Sequence, residues 1–209
     1  ATLGAKKTSI RAQGSSHAGI FGPGVLAGAL QMSHGLSETL DVQAQGSFLR
    51  VMPSAEQAEQ IDTDRNITTA RVGLKLNPER NRWFAMTAGL GGGTSAGGPF
   101  FAADAGIIFA IENCYFVPFW SISAFVSEPI DAREVELGTN PDMPTTTNVD
   151  TPKTTGGNAI SWGAKLPLGG RCGEPRPVTL LAGMSVTSLD DGEKGAGFFG
   201  LGVGLETSF

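Results

Sequence analysis

The chain has 209 residues, enough for one domain or one closed barrel. Charged residues make up 17% of it, below the usual quarter or so, while glycine fills 30 positions, about twice its average share. A net charge of −5 with no basic run excludes a nucleic-acid footprint, and no stretch approaches the roughly 18 uninterrupted apolar residues of a transmembrane helix.

What recurs instead is alternation with a period of two, the signature of a strand whose faces meet different surroundings. "KKTSIRAQG" sets Thr8, Ile10 and Ala12 against Lys7, Ser9, Arg11 and Gln13. "GVLAGALQMS" follows with a less regular pattern. In "ETLDVQAQGSF", Leu40, Val42, Ala44 and Phe48 oppose Asp41, Gln43, Gln45 and Ser47. In "ITTARVGLKL", Thr68, Ala70, Val72, Leu74 and Leu76 oppose Thr69, Arg71, Gly73 and Lys75. "RWFAMTAGLG" is less clean. "FFAADAGIIFAIE" places Phe101, Ile107, Phe109 and Ile111 opposite Asp104, Gly106 and Glu112, and "YFVPFWSISAFV" is apolar on both faces. In "NAISWGAKLPL", Ile160, Trp162, Ala164 and Leu166 oppose Ser161, Gly163 and Lys165. "PVTLLAGMSVTS" and "GFFGLGVGLETSF" complete the series, the last with Phe199, Leu201, Val203, Leu205, Thr207 and Phe209 opposite glycines, Glu206 and Ser208.

These strands run to ten residues or a little more, the length of a tilted strand crossing a bilayer and long for a soluble sheet. Connections alternate in length. "HGLSE", "NPERN" and "ENC" are short and "GGRCGEPR" fairly short. "MPSAEQAEQIDTDRN" is long, "GGTSAGG" intermediate, and the stretch from 128 to 157 very long. Outer-membrane barrels place tight turns in the periplasm and long loops outside, which sets the C-terminus on the periplasmic side. Nine strands are counted from "GVLAGALQMS", and an even number requires "KKTSIRAQG" as the tenth. The expected fold is all-β, a closed antiparallel up-and-down transmembrane barrel of about ten strands. Eight is the fallback if the N-terminal run or "YFVPFWSISAFV" does not form one. Residues 1–209 form one domain, with long extracellular loops near 52–65 and 128–157. The start, "ATLGAKK", has no apolar signal core, and the reading takes it as a processed end.

The ending resembles the C-terminal signature of bacterial outer-membrane β-barrel proteins, at Leu201, Val203, Leu205 and the terminal Phe209. Thr207 departs from it, since an aromatic is common there. The resemblance implies recognition by the barrel-assembly machinery, and the pattern is most similar to the small OmpA-, OmpX- or OmpW-type barrels. These are diverse in function, so the fold does not decide the role. It further implies a lipid and lipopolysaccharide environment. Trp83, Tyr115, Trp120, Trp162 and Phe209 are expected to form aromatic girdles at the two interfaces.

The expected lumen charges are Asp41, Arg71, Lys75, Asp104, Glu112, Lys165 and Glu206, with Arg11 and Arg50 as further candidates. Unpaired buried charge is costly, so cross-lumen salt bridges are expected. Such a barrel is hardly wider than its side chains fill, which suits a structural scaffold or anchor engaging envelope partners through lumen or loops. A narrow diffusion channel is the alternative, because inward glycines leave room for a pore or for a plug from another chain. A lipid-modifying enzyme is a weaker reading. It needs a nucleophile beside His17, in the loop-like "GSSHAG", or His34, in the turn "SHGLSE". Adjacent strand residues point oppositely, so Ser33 and His34 do not pair, and no catalytic role is assigned. Two histidines and two cysteines without finger spacing give no metal site, and "LDDGEKG" lacks the calcium-loop pattern. No cofactor is expected. Cys114 and Cys172 lie in successive periplasmic turns, where a disulfide between them is expected.

Overall fold

The computed structural model describes residues 3–19, 24–52, 66–78, 83–111, 113–140, 143–150, 152–169, 177–193 and 195–209. Ten strands close into an antiparallel barrel: β1 (Thr8–Gly19), β2 (Gly24–Gly35), β3 (Leu40–Met52), β4 (Asn66–Leu76), β5 (Phe84–Ser95), β6 (Gly98–Ala110), β7 (Val117–Pro129), β10 (Thr155–Leu168), β11 (Val178–Asp190) and β12 (Gly195–Ser208). Each pairs with its sequence neighbours, and β1 closes on β12. The seam is hydrogen-bonded to the last residue, because Thr8 and Phe209 exchange both backbone bonds at 2.9 Å. "KKTSIRAQG" is therefore the tenth strand that parity required.

The stagger can be read from the register. The row through Phe84 runs by Phe109, Trp120, Trp162, Met184, Leu201, Ser16, Leu26 and Arg50 to Asn66. Thr68 faces Thr94, so Asn66, two residues earlier, faces position 96. The row has thus returned to β5 twelve residues further along. With a rise of about 3.3 Å and a strand spacing of about 4.8 Å, that stagger tilts the strands by roughly 40°. Strands of 11 to 14 residues then give a wall about 30 Å high, the thickness of a bilayer's hydrocarbon.

The packing is inverted relative to a water-soluble domain. Among the described residues, thirty-five large apolar side chains are exposed, and the one buried hydrophobic residue is Ala85. Leu30, Val72, Leu90, Leu201 and Val203 all stand outward. The buried side chains are polar: Ser9, Ser33, Asp41 and Asn77. Phe84, Phe109, Trp120 and Trp162 form one outward row across β5, β6, β7 and β10, with Phe84–Phe109 and Phe109–Trp120 ring centroids 5.3 and 5.6 Å apart. Trp83, Phe84, Phe109, Tyr115, Trp120 and Phe209 lie toward one end, the end carrying connections 36–39, 77–83, 111–116 and 169–177, here the turn end, while Trp162 stands at the middle of β10. Of the five expected girdle residues, Trp83, Tyr115, Trp120 and Phe209 share one rim and Trp162 does not. Outward aromatics at the other end, the loop end, are phenylalanines: Phe48, Phe101 and Phe199.

Two connections differ from expectation. "GGTSAGG" is mostly strand, since β5 continues to Ser95 and β6 begins at Gly98, leaving a two-residue turn. Gly98 sits at φ +105°, and its place against the Asp131 carbonyl leaves no room for a Cβ. Within 128–157, β7 runs on to Pro129 and β10 starts at Thr155. Between them Val135–Asn140 (β8) and Met143–Asp150 (β9) form a separate two-stranded sheet. Its base is tied to the tight β5–β6 turn by Arg133 N–H donating to the Gly97 carbonyl at 2.9 Å. Residues 53–65, where Ser54 followed by Gln57 has the capping-box spacing of a short helix start, lie outside the described residues.

Candidate functional site

The lumen gathers the charges that alternation assigned to it. Arg71 on β4 reaches over β5 to Asp104 on β6, with Nε 2.5 Å from Oδ2 and Nη2 2.7 Å from Oδ1. The fork matches the carboxylate, the geometry that makes arginine the stronger cation for such a pair. At the seam, Arg11 and Glu206 are direct cross-strand partners. Arg11 donates from Nε and Nη2 to Glu206 Oε2 at 3.0 and 2.6 Å, and Lys165 Nζ donates to the same oxygen at 3.1 Å. Asp41, 1% exposed, accepts the Leu3 backbone N–H on both oxygens, at 3.1 and 3.0 Å, and faces Lys75 across β3–β4. The chain before β1 thus folds in against the turn end of the lumen.

Asp41, Arg71, Lys75, Asp104, Lys165 and Glu206 are all in the lumen, joined by Arg11. Glu112 lies outside the described residues. Arg50 is a correction. β3 runs unbroken to Met52, so Arg50 shares the outward parity of Val42 and Phe48 and stands on the outer face near the loop end. Ending that strand at Phe48 had left its direction open.

The glycines answer a different need from a pore. A Cβ at Gly73 or Gly89 would meet the Arg71 guanidinium, and one at Gly200 would meet the His17 ring. Phe125 lies over Gly157, Phe100 over Gly93, and Phe119 over Gly163 and Gly183. Each of these phenylalanines faces its glycine directly across the ladder at Phe125↔Gly157, Phe100↔Gly93 and Phe119↔Gly163. The space left by missing side chains is taken by the chain's own inward ones. Six inward residues near the loop end are apolar, with Leu49, Ile67, Phe100, Phe125, Leu189 and Phe198 all half-buried.

Below this collar lies a cavity of about 770 Å³ reaching the turn-end residues Leu3, Asn113, Val117 and Thr179. None of the six collar side chains lines it. Its wall carries Arg11, Gln31, Gln45 and Arg71, consecutive partners on β1, β2, β3 and β4, with Gln13 and Gln43 beside them. Ser121 and Ser161 face this row from β7 and β10. Gln43 and Gln45 were legible as inward polar positions, but their row with the arginines emerges only from the register.

The histidines are strand residues. β1 extends to Gly19, so His17 points inward, with Ser15 Oγ 2.9 Å from its Nε2. Among the described residues no carboxylate holds the other ring nitrogen, the group that would orient a catalytic base. His34 stands on the outer face at the turn end with Nδ1 2.9 Å from Thr8 Oγ1, while Ser33 is buried inward. No group of three metal-ligating side chains occurs among the described residues. Cys114 is disulfide-bonded, and Cys172, its expected partner, lies outside the described residues. Leu201, Val203, Leu205 and Phe209 are all exposed on the outer face.

No family model and no curated protein matches the chain. Solved barrels do align with it. Neisserial surface protein A covers 97% of this chain and 96% of its own at 10% identity, with a TM-score of 0.45. For the N-terminal β-barrel domain of Pseudomonas aeruginosa OprF the values are 98%, 99%, 14% and 0.39. For Ail, the attachment invasion locus protein of Yersinia pestis, they are 98%, 99%, 12% and 0.36. At these scores the likeness carries no functional argument. The class rests on the chain's own geometry: a closed ten-stranded antiparallel β-barrel with an apolar outer face and a charge-paired interior.

Proposed function

We propose that this chain is an integral barrel of a Gram-negative outer membrane, acting as a structural scaffold or anchor that engages other envelope components through its lumen or loops. The observation that carries the membrane reading is the inverted burial. A closed barrel satisfies every ladder group without an edge, and the exposed apolar wall then has lipid to face. On this reading residues 1–209 are one domain. The regions near 52–65 and 128–157 are extracellular, the C-terminus is periplasmic, and lipid and lipopolysaccharide surround the wall. Leu201, Val203, Leu205 and Phe209 act as the assembly address, and Cys114 bonds Cys172.

The scaffold role is favoured over conduction by the interlocked Arg71–Asp104 and Arg11–Glu206–Lys165 groups and by the apolar collar above them. A non-enzymatic role accords with the incomplete Ser15–His17 pair. The narrow diffusion channel stays as a second reading because of the 770 Å³ polar cavity. Single-channel recording in a planar bilayer separates the two. A silent bilayer from heat-modifiable, folded protein supports the scaffold, and stable reproducible conductance steps would replace it with the channel.

A further inference from the structure

The cavity has a definite chemistry. Among the described lumen residues, cations outnumber carboxylates: Arg11, Arg71, Lys75 and Lys165 against Asp41, Asp104 and Glu206. The excess sits at Glu206, where a single oxygen takes both Arg11 and Lys165. Arg11 spends Nε and Nη2 there, which leaves Nη1 for the lumen. Next to it, Gln31 and Gln45 continue the row to Arg71, so four consecutive strands present guanidinium, amide, amide and guanidinium along about 14 Å of wall. Gln31 donates only a long 3.4 Å bond to Ser33, and no side-chain hydrogen bond joins Gln43 or Gln45 to another described residue. The surface is rich in N–H donors, with a guanidinium at each end and the excess positive charge at the Arg11 end, and it is concave. Six apolar side chains point inward near the loop end and stay off the cavity wall, whereas the cavity reaches the turn end.

We propose that the lumen is a blind pocket, entered from the turn end, that binds a small polyanion of the oligocarboxylate or phosphate class along Arg11–Gln31–Gln45–Arg71. Each arginine keeps its Nη1 for a carboxylate or phosphate oxygen while Nε and Nη2 stay on a lumen carboxylate, and the glutamine amides add neutral donors between them. A cavity of this size falls within the range of small-molecule sites. The pocket rests on the barrel reading, since it exists only if the ladder closes.

The test is calorimetric titration of the folded protein in detergent micelles at low ionic strength, with citrate, tripolyphosphate and neutral maltotriose as probes. Expected is saturable one-to-one binding of citrate or tripolyphosphate, the better one naming the anion class, and none of maltotriose. The Gln31→Leu/Gln45→Leu variant, which leaves every salt bridge intact, should bind at least ten-fold more weakly. Phe100→Ala/Phe125→Ala, above the cavity, should keep the wild-type affinity. Folded, heat-modifiable protein that binds neither anion saturably, binds maltotriose equally well, or binds unchanged in the glutamine variant overturns the pocket. Failure to fold in micelles at all would instead count against the barrel.

Discussion

The Arg71–Asp104 pair is the most direct test of how the interior is held. Both side chains are about a quarter exposed, at 21% and 27%, and they share two bonds of 2.5 and 2.7 Å. Removing one partner of a fully buried pair costs about 3–5 kcal/mol, and an exposed pair is worth about 0–1 kcal/mol. At intermediate burial with bidentate geometry, Arg71→Met should cost about 2 kcal/mol, chiefly because Asp104 is left without its cation. Asp104→Leu should cost a similar amount. The double variant should cost about 2–2.5 kcal/mol, well short of the additive sum, giving a coupling energy of about 1.5–2 kcal/mol. The assay is reversible denaturant unfolding in lipid vesicles, followed by tryptophan fluorescence. Additive losses, with coupling below about 0.5 kcal/mol, would refute the claim that this pair ties β4 to β6.

The other predictions come from particular contacts. Gly89→Ala places a methyl where the Arg71 guanidinium lies and should cost about 1–3 kcal/mol in the same unfolding assay, whereas Gly28→Ala, with nothing near its Cβ, should cost under about 1 kcal/mol. Leu90→Lys, outward at mid-wall, should destabilise the barrel by about 2–4 kcal/mol in vesicles. With the proposed Cys114–Cys172 bond in place, the protein should resist thiol alkylation until reduced and then take up two labels, as read by mass spectrometry. Phe209→Ala removes an exposed aromatic at the seam and should lower the yield of heat-modifiable barrel in cells while leaving refolding into detergent nearly unchanged.

Much of this architecture was legible in the sequence because a lipid-facing strand writes its two faces into alternate residues. That is why Asp41, Arg71, Lys75, Asp104, Lys165 and Glu206 could be assigned to the lumen, and why parity could demand β1 from a faint N-terminal pattern. Arg50 was misread because its strand continued past the last clear alternation. The β8–β9 sheet was missed because its Thr- and Pro-rich sequence lacks the apolar alternation of a wall strand. Pairing was less legible than facing. Whether Arg71 meets Asp104, and which glycine lies beneath which phenylalanine, depends on a stagger of twelve that no single strand encodes. Glycine-rich runs pointed to a wide interior. In the structure Gly89, Gly93, Gly157, Gly163 and Gly200 each lie under a large side chain from the next strand, while a cavity of about 770 Å³ remains beside them.

The central claim is that the outer wall sits in lipid with Trp83 and Trp120 near one interface. Trp83 and Trp120 lie toward the turn end and Trp162 stands at mid-wall, so depth-dependent quenching by brominated lipids, read on the Trp162→Phe variant, tests it most directly. The account predicts strong quenching in vesicles, greater from bromines placed near the headgroups than from bromines at the bilayer centre. Fluorescence indifferent to every brominated lipid, from protein that remains folded, would contradict it.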